Sequence, residues 1–372
     1  MRPLRILIIT HSPLSPEFGA GQMAINLRDA LKAQGHDVIL WSPHPLPPAR
    51  WWQALRRMRS KVDAFIETQG PFDVIDSPAT LITKLMCRSG IVVARSIQPE
   101  ILYLLNDLSL PAKWSVKNFA RMPFNYLHTL FHLSLVFQGW RRARHIFCLG
   151  TLELEWMKKR FPWWRRKLVL YVNALSESDQ TMLATARAQR REYCPERIRF
   201  LWIGRWVSHK GTDVLIDFIK RWAILRPQDI FTIAGCGPEA ESDCPAELTG
   251  PGRVVIIPTF ERKDLCSLLT SHDIGLFTSK VEGWGLALNE MLESGMPVFA
   301  TQAGGALDLQ PFFSALMPFP PSPKILCSLP EPRIASRYYE VFNWKHIAEI
   351  YAGEILAPLQ EEGNLCLRAA QG

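Results

Sequence analysis

Four charged side chains in the second half of the chain have types and positions that suit a phosphorylated, hydroxylated ligand. Arg205 and Lys210 follow the apolar run RFLWIG, and Glu282 and Glu290 bracket the stretch EGWGLALNE. A guanidinium binds phosphate as a bidentate fork and an ammonium binds as a point charge, so the pair beside Gly204 suits a diphosphate. Carboxylates accept hydrogen bonds from sugar hydroxyls. The four side chains therefore indicate a nucleotide diphosphate-sugar.

The stretch that carries the two glutamates is predicted to open a helix after a buried strand. Gly283 and Gly285 let the backbone approach a ligand closely, and a helix beginning near Leu286 has unpaired N–H groups at its positive dipole end. Together these features predict an anion site. In the alternative interpretation, Glu282 caps the helix and Glu290 is a solvated helix residue.

A second glycine-containing stretch, EFGAGQ, lies between the first apolar strand and the first helical segment. Backbone N–H groups of Gly19 and Gly21 could reach the same phosphates from the other side. This signal is weak on its own, because a turn between a strand and a helix often requires glycine for its geometry.

Apolar runs alternate with helical patterns in two series, which places the charged residues at strand ends. The first series covers roughly the first hundred residues, the alternation is lost between about residues 100 and 195, and the second series begins with RFLWIG. Unbroken apolar strands are typical of parallel sheets covered on both faces. The predicted fold class is α/β, with two Rossmann-like, doubly wound parallel-sheet domains facing a cleft at the carboxyl ends of their strands.

The charge distribution is asymmetric along the chain. Residues 1–194 contain 27 Lys/Arg against 14 Asp/Glu, whereas the remaining residues contain 16 against 21. The basic first half is expected to meet an anionic partner, either membrane phosphate or a charged substrate, and a solvated basic surface is the alternative. The first half also contains two aromatic-plus-basic patches: Trp51-Trp52 before Arg56-Arg57, and Trp163-Trp164 before Arg165-Arg166-Lys167. These patches suit a membrane interface, and packing of the tryptophans in the core is an equally compatible interpretation.

Residues 122–140 contain no Lys, Arg, Asp or Glu and are long enough to cross a membrane. However, Asn125, His128, Thr129 and His132 recur at helical spacing and form one polar stripe. A buried or membrane-dipping helix is therefore expected in preference to a spanning one.

The eight cysteines are scattered singly, without a CxxC pair or a histidine cluster at metal spacing. This usage indicates reduced thiols in a cytosolic protein. The expected location is cytoplasmic, with peripheral contact at the inner face of the plasma membrane.

Several stretches of the second half match the motifs of one enzyme family. GRWVSHKG is similar to the family's Gly-Arg…Lys-Gly, AGCGPE to its Gly-x-Gly-Pro turn, and EGWGLALNE to its Glu-x7-Glu motif, followed by GMPVFATQAGG. The chain thus resembles retaining glycosyltransferases of the GT-B fold, in sequence family 4. The resemblance covers nearly the whole chain. It implies an N-terminal acceptor-side domain at 1–175, a nucleotide-sugar-binding domain at 196–342, and helices at 343–372 that pack back toward the N-terminal domain.

The resemblance implies a role for each matching position. Arg205 and Lys210 would bind the donor diphosphate and stabilise the leaving nucleotide, and Glu282 would contact the transferred sugar; these are the expected catalytic residues. Glu290 would bind the ribose hydroxyls. Backbone groups would complete the donor site at Gly19, Ala20, Gly21, Gly204, Gly283, Trp284, Gly285 and Leu286. No metal and no cofactor is implied, because the two cations and the helix end neutralise the diphosphate.

The chain departs from the family pattern on the acceptor side. Many members have a histidine in a loop of the first domain, where ARSIQPE has Ile97 and Gln98. His11, His128 or His132 could reach the site instead, although a lone histidine is more often structural. Two further departures are Asn173-Ala174 in place of Asn-Gly and Pro258 in place of glycine.

The predicted function is transfer of a sugar, glucose by family frequency, from a UDP-sugar to a glycan or lipid-linked acceptor in exopolysaccharide or envelope polysaccharide synthesis. No nucleic acid partner is expected. A nucleotide-sugar epimerase and a non-catalytic nucleotide-sugar-binding protein remain alternatives. A pyridoxal-phosphate phosphorylase would require a Schiff-base lysine, for which the sequence has no motif.

Overall fold

The chain forms two compact units, of which the first is Met1–Ala174 with Val341–Gly372 and the second is Leu175–Glu340. The computed structural model describes residues 3–14, 19–48, 50–108, 116–190, 193, 195–244 and 253–356. Each unit is built around its own six-stranded sheet.

The first unit contains an all-parallel sheet in the order β2-β1-β3-β4-β5-β6. Its strands are β1 (Arg5–Ile9), β2 (Asp37–Trp41), β3 (Val74–Ser77), β4 (Ile91–Arg95), β5 (His145–Leu149) and β6 (Leu168–Tyr171). Its helices before the second unit are α1 (Gly19–Ala33), α2 (Trp51–Gln69), α3 (Met86–Ser89), α4 (Glu100–Asp107), α5 (Val116–Arg142) and α6 (Thr151–Arg160). The strand order reverses between β1 and β3, which is the position where open α/β sheets bind ligands.

The second unit repeats this design with an all-parallel sheet in the order β12-β11-β10-β7-β8-β9. Its strands are β7 (Arg199–Ile203), β8 (Ile230–Ala234), β9 (Val254–Ile257), β10 (Ile274–Phe277), β11 (Val298–Ala300) and β12 (Leu316–Pro318). Its helices are α7 (Glu177–Ala188), α8 (Thr212–Leu225), α9 (Glu239–Asp243), α10 (Leu265–Thr270), α11 (Leu286–Glu293) and α12 (Ala306–Leu309), with α13 (Tyr338–Val341) at the boundary of the units. Two doubly wound parallel sheets confirm the predicted fold class.

The expectation that the strand-helix alternation is lost between about residues 100 and 195 is wrong. Strands β5 and β6 lie in that stretch and complete the first sheet. Helix α5, which is 27 residues long, separates β4 from β5 and hides the repeat. β6 is hard to recognise because it is a four-residue edge strand with Leu170 exposed.

Helix α5 turns His128, Thr129 and His132 of its polar stripe toward the protein, whereas Asn125 and much of its apolar surface are exposed. Thr129 is buried, whereas Phe124, Leu127 and Leu130 are 55%, 65% and 61% exposed. Further along the helix, a Cβ on Gly139 would lie 2.1 Å from the carbonyl oxygen of Ala79, so the helix backbone touches the turn after β3. Among the described helices, none is long and apolar enough to cross a membrane.

The chain returns to the first unit after completing the second. Helix α14 (Trp344–Tyr351) packs against α1, and a π-helical turn follows at Ala352–Leu356. The indole N–H of Trp344 donates to the carbonyl of Ala174 at 3.1 Å, and Tyr351 stacks on Phe147 of β5 with ring centroids 5.4 Å apart. The last described segment therefore forms part of the first unit's core.

Candidate functional site

The loop after β7 places the two predicted cations at the carboxyl end of the second sheet. Arg205 is exposed, and Lys210 ends a short 3₁₀ helix at Ser208–Lys210. Gly211 then turns the chain with a φ of +69°. A Cβ at this position would lie 2.0 Å from the carbonyl oxygen of Thr278, so no larger residue fits between the two loops.

Lys210 and Glu282 form an ion pair between Nζ and Oε2. Their side chains are only 18% and 10% exposed. Glu282 Oε2 also accepts from Ser279 Oγ at 3.1 Å, and Glu282 Oε1 accepts from the Gly283 N–H at 3.2 Å. The structure thus brings together two residues that are 72 positions apart and that the sequence predicted independently.

The end of β10 holds the Lys210 loop through its backbone. Thr278 Oγ1 donates to the carbonyl oxygen of Lys210 at 2.9 Å and accepts from the indole N–H of Trp202 at 3.0 Å. The Lys280 N–H donates to the carbonyl of His209 at 2.8 Å. These bonds fix the position of the Lys210 backbone relative to the strand that leads to Glu282.

Helix α11 begins at Leu286, as predicted. Its backbone hydrogen bonds start with the Leu288 N–H, which donates to the carbonyl of Gly285 at 2.9 Å. The N-cap residue Gly285 has a φ of +88° and offers no side chain as a cap. The positive end of the helix dipole therefore lies directly after the Glu282 loop, which favours an anion there.

The Trp284 side chain points into the second unit. It is 3% exposed, and its indole N–H donates to Asn289 Oδ1 at 3.0 Å. A Cβ on Gly305 would lie 2.8 Å from the Trp284 ring, so the Gly304-Gly305 backbone covers the indole. Only the backbone of Trp284 remains a candidate for ligand contact.

Glu290 is held by Arg262, which the sequence did not reveal and which is itself held by Asp179. Its Oε1 pairs with Nη1 of Arg262, and Nη2 of Arg262 contacts Asp179 Oδ1 at 2.7 Å. Glu290 is 5% exposed, so the alternative interpretation of a solvated helix residue is wrong. Burial raises the pKa of the Glu290 carboxyl, and Arg262 opposes that rise. Arg262 follows β9 much as Arg205 follows β7, which is the signal that could have identified it.

Three histidines of the first unit line one cavity of about 290 Å³ at the carboxyl end of the first sheet. His11 follows β1 and Gln98 follows β4, and both line it with His128 and His132 of the α5 polar stripe. The cavity lies at the point where the strand order reverses between β1 and β3. It is the first unit's candidate ligand site.

Burial keeps this cavity largely uncharged at neutral pH. It lowers the pKa of His11 to about 4, with Arg95 adding to the effect, and lowers that of His132 to about 4, with His128 adding. It also raises the pKa of Glu100 to about 8, with Glu153 adding. Neutral imidazoles and a protonated carboxyl both donate and accept hydrogen bonds, which matches hydroxyl groups better than phosphate.

The predicted phosphate-binding backbone at Gly19, Ala20 and Gly21 forms the first turn of α1 in the first unit. Its contact with a donor stays a prediction. Among the described residues, no group of three or more His, Cys, Asp or Glu side chains could hold a metal ion.

Comparison with known proteins finds glycosyltransferases that are similar to this chain. Residues 187–310 match the family described as Glycosyl transferases group 1, and this range contains all four charged candidates of the second unit. The matched range spans about a third of the chain. A GDP-mannose-dependent alpha-mannosyltransferase of Corynebacterium glutamicum is 23% identical to this chain over 342 residues, which cover 83% of this chain and 75% of that one. The uncharacterized glycosyltransferase YqgM of Bacillus subtilis is 35% identical over 118 residues, which are 30% of this chain and about a third (32%) of that relative's length.

The likeness to solved structures confirms the GT-B fold of this chain. A sucrose-phosphate synthase from Thermosynechococcus elongatus has a TM-score of 0.72 and 16% identity, with 96% of this chain and 99% of that chain covered. The Anabaena protein Alr3699/HepE, solved in complex with UDP and glucose, has a TM-score of 0.51 and 17% identity, with 98% and 99% covered.

Proposed function

We propose that this glycosyltransferase moves a sugar, with glucose as the first candidate, from a UDP-sugar to a glycan or lipid-linked acceptor with retention of anomeric configuration. The observation that carries the proposal is the Lys210–Glu282 ion pair beside the amino end of α11. A cation, a carboxylate and a helix N-terminus in one place suit a ligand that joins a diphosphate to a sugar.

Each side chain then has a distinct task. The donor diphosphate would accept hydrogen bonds from Arg205, Lys210 and the Leu286 N–H, which stabilise the negative charge that grows as the nucleotide leaves. Drawing Lys210 onto the phosphate would free Glu282 to accept from a hydroxyl of the transferred sugar. Glu290, fixed by Arg262, would accept from the ribose hydroxyls. In this proposal these cations would neutralise the diphosphate, and no divalent metal would be required.

The choice of UDP is supported by the GT-B neighbour crystallised with UDP and glucose, whereas a relative that uses GDP-mannose supplies the alternative donor.

The purified protein should be stabilised against heat by UDP and UDP-glucose, by about 2.7 kcal/mol at a ligand concentration a hundred times Kd. It should also release UDP from UDP-glucose at an unchanged rate in EDTA. The assay compares UDP-glucose with GDP-mannose, with and without EDTA. No stabilisation by either nucleotide sugar would contradict donor binding, and loss of turnover in EDTA would contradict metal independence.

The first unit supplies the candidate acceptor site. The histidine-lined cavity lies at the strand-order reversal and is largely uncharged, so it suits the hydroxyls of a sugar acceptor. In this placement His11, His128 and His132 would take the role of the family's histidine, whose position is occupied here by Ile97 and Gln98.

The outward face of α5 supports peripheral attachment to an anionic membrane at the cytoplasmic surface. Phe124, Leu127 and Leu130 are exposed on it. At the far end of the helix, Lys167 Nζ donates to the carbonyl of Arg141 at 3.1 Å and joins the basic, aromatic turn Pro162–Lys167 to α5. The apolar side chains would insert into the membrane, and the basic side chains would bind anionic headgroups. Attachment of this kind would bring the protein to an acceptor with a lipid carrier.

Substituting glutamate for Leu127 and Leu130 together should reduce binding to vesicles that contain anionic lipid by about tenfold or more, because two half-inserted leucines contribute roughly 1.5 to 3 kcal/mol. Vesicle flotation measures the bound fraction. The matched control is glutamate at Ile224 and Leu225, which are 82% and 64% exposed in the second unit. Equal flotation of both double variants would contradict the assignment of α5.

A further inference from the structure

The second unit contains a cavity of about 530 Å³ that the proposed function does not use. It is lined by Arg187 and Arg190 from the α7 region, by Asp273 just before β10, by Pro297 just before β11, and by residues 327–332. These strands begin there, so the cavity lies at the amino ends of the sheet, opposite the end that carries Lys210 and Glu282. We call it the amino-edge cavity.

Two arginines give the amino-edge cavity an excess of positive charge. Arg187 Nη1 donates to the carbonyl of Glu293 at 3.0 Å, and Arg190 donates to the carbonyls of Leu269, His272 and Asp273 at 3.0 to 3.2 Å. All four acceptors are backbone carbonyls; among nearby carboxyl groups, Arg187 also attracts that of Glu293 and Arg190 that of Asp273.

The two lining carboxylates are already neutralised by other arginines. Asp273 is paired with Arg199 at 2.9 Å, and Glu331 is paired with Arg333 at 2.5 Å. Each lining carboxylate thus has an arginine partner other than Arg187 and Arg190, so the lining keeps an excess of positive charge that suits an anion.

The opposite wall of the cavity is apolar and held in place. Leu329, Pro330 and Pro332 form it, with Tyr193 beside them. The Tyr193 hydroxyl donates to the carbonyl of Leu326 at 3.0 Å, and the Arg333 N–H donates to Ser314 Oγ at 2.8 Å, which ties down both ends of the wall. The volume lies within the range of small-molecule sites, roughly 300 to 1,000 Å³.

We propose that the amino-edge cavity is a second ligand site, separate from the sugar-nucleotide site, and that it binds a small organic anion with an apolar group and one phosphate or carboxylate. The anionic group lies on Arg187 and Arg190, and the apolar group lies against Leu329, Pro330 and Pro332. A rigid apolar wall facing two guanidinium groups has the character of a ligand site, with a few polar groups that fix orientation.

Calorimetric titration tests the site with phenyl phosphate and benzoate as anionic probes. Benzyl alcohol is the control, since it has the same aromatic ring without the negative charge. The titrations use the whole chain with Lys210→Met and Arg205→Gln together, so that both cations of the sugar-nucleotide site are removed. At least one anion should bind, more tightly than benzyl alcohol by tenfold or more. Arg187→Gln should weaken that binding by tenfold or more, and Pro330→Glu, which adds a negative charge without removing a hydrogen bond, should do the same.

Arg221→Gln is the matched control, since Arg221 is an exposed arginine of the same unit paired with Asp217. It should leave anion binding unchanged. Absence of binding by both anions, equal binding of benzyl alcohol, or unchanged binding in both Arg187→Gln and Pro330→Glu would overturn the proposal. UDP titrated into Arg187→Gln protein with both donor-site cations intact reports separately on the donor site, so a failure of donor binding is distinguished from a failure of this site.

Discussion

Lys210→Met should lower sugar transfer by about 10² to 10³-fold, the usual loss when one group that stabilises transition-state charge is removed. Methionine keeps much of the length of the side chain but leaves Glu282 without its cationic partner. The loss should appear in kcat more than in KM, because the charge on the leaving diphosphate grows in the transition state. Initial rates of UDP release from UDP-glucose measure it.

Lys280→Met is the control for this experiment, since Lys280 lies two residues before Glu282 but pairs with Asp213 at 2.5 Å and is 39% exposed. It should retain nearly full activity. Glu282→Ala should also abolish transfer. Normal turnover in either the Lys210 or the Glu282 variant would remove that residue from the catalytic assignment.

Arg95→Met should reduce the free energy of unfolding by about 3 to 5 kcal/mol, the cost of leaving one member of a buried ion pair alone. Arg95 Nε contacts Asp76 Oδ1 at 2.7 Å, and the two side chains are 1% and 0% exposed. Burial already raises the pKa of Asp76 while Arg95 opposes that rise, so removing Arg95 raises it further. When the pKa of a carboxyl is higher in the folded than in the unfolded state, the free energy of unfolding falls as pH rises. The defect of Arg95→Met should therefore be larger at pH 8 than at pH 5.

Urea unfolding at both pH values measures this effect. Adding Asp76→Leu to Arg95→Met should recover much of the lost stability, because no lone charge then remains buried. The control Arg221→Met removes an exposed arginine and should change stability by less than about 1 kcal/mol. A defect in Arg95→Met that does not depend on pH and is not relieved by the second substitution would contradict the ion-pair explanation.

The parts of the site that follow directly from strand ends could be predicted from the sequence. Lys210 and Glu282 each come just after an apolar strand, and parallel strands end at one edge of a sheet, so their meeting required only the fold class. The start of α11 at Leu286 was also predictable, because glycine before an amphipathic run marks a helix entry.

Contacts that depend on packing between distant segments could not be predicted in this way. Arg262 meets Asp179, which is 83 positions away, only because α7 packs beside α10 and α11. The stripe that contains Thr129 was visible, but periodicity does not say which face of a helix meets the protein. An ordinary surface helix exposes its polar face, whereas α5 exposes large apolar side chains.

The return of the chain to the first unit has a consequence for how the protein is made. Helix α14 packs on α1 and places Tyr351 on Phe147, so the first unit completes its core only after α14 is synthesised. Ribosomes add about 5 to 20 residues per second, and the stretch between Ala174 and Val341 therefore delays completion by roughly ten to thirty seconds. During that interval the nascent first unit exposes apolar surface that chaperones recognise. Variants that weaken α14 are therefore expected to lower the yield of folded protein before they affect transfer.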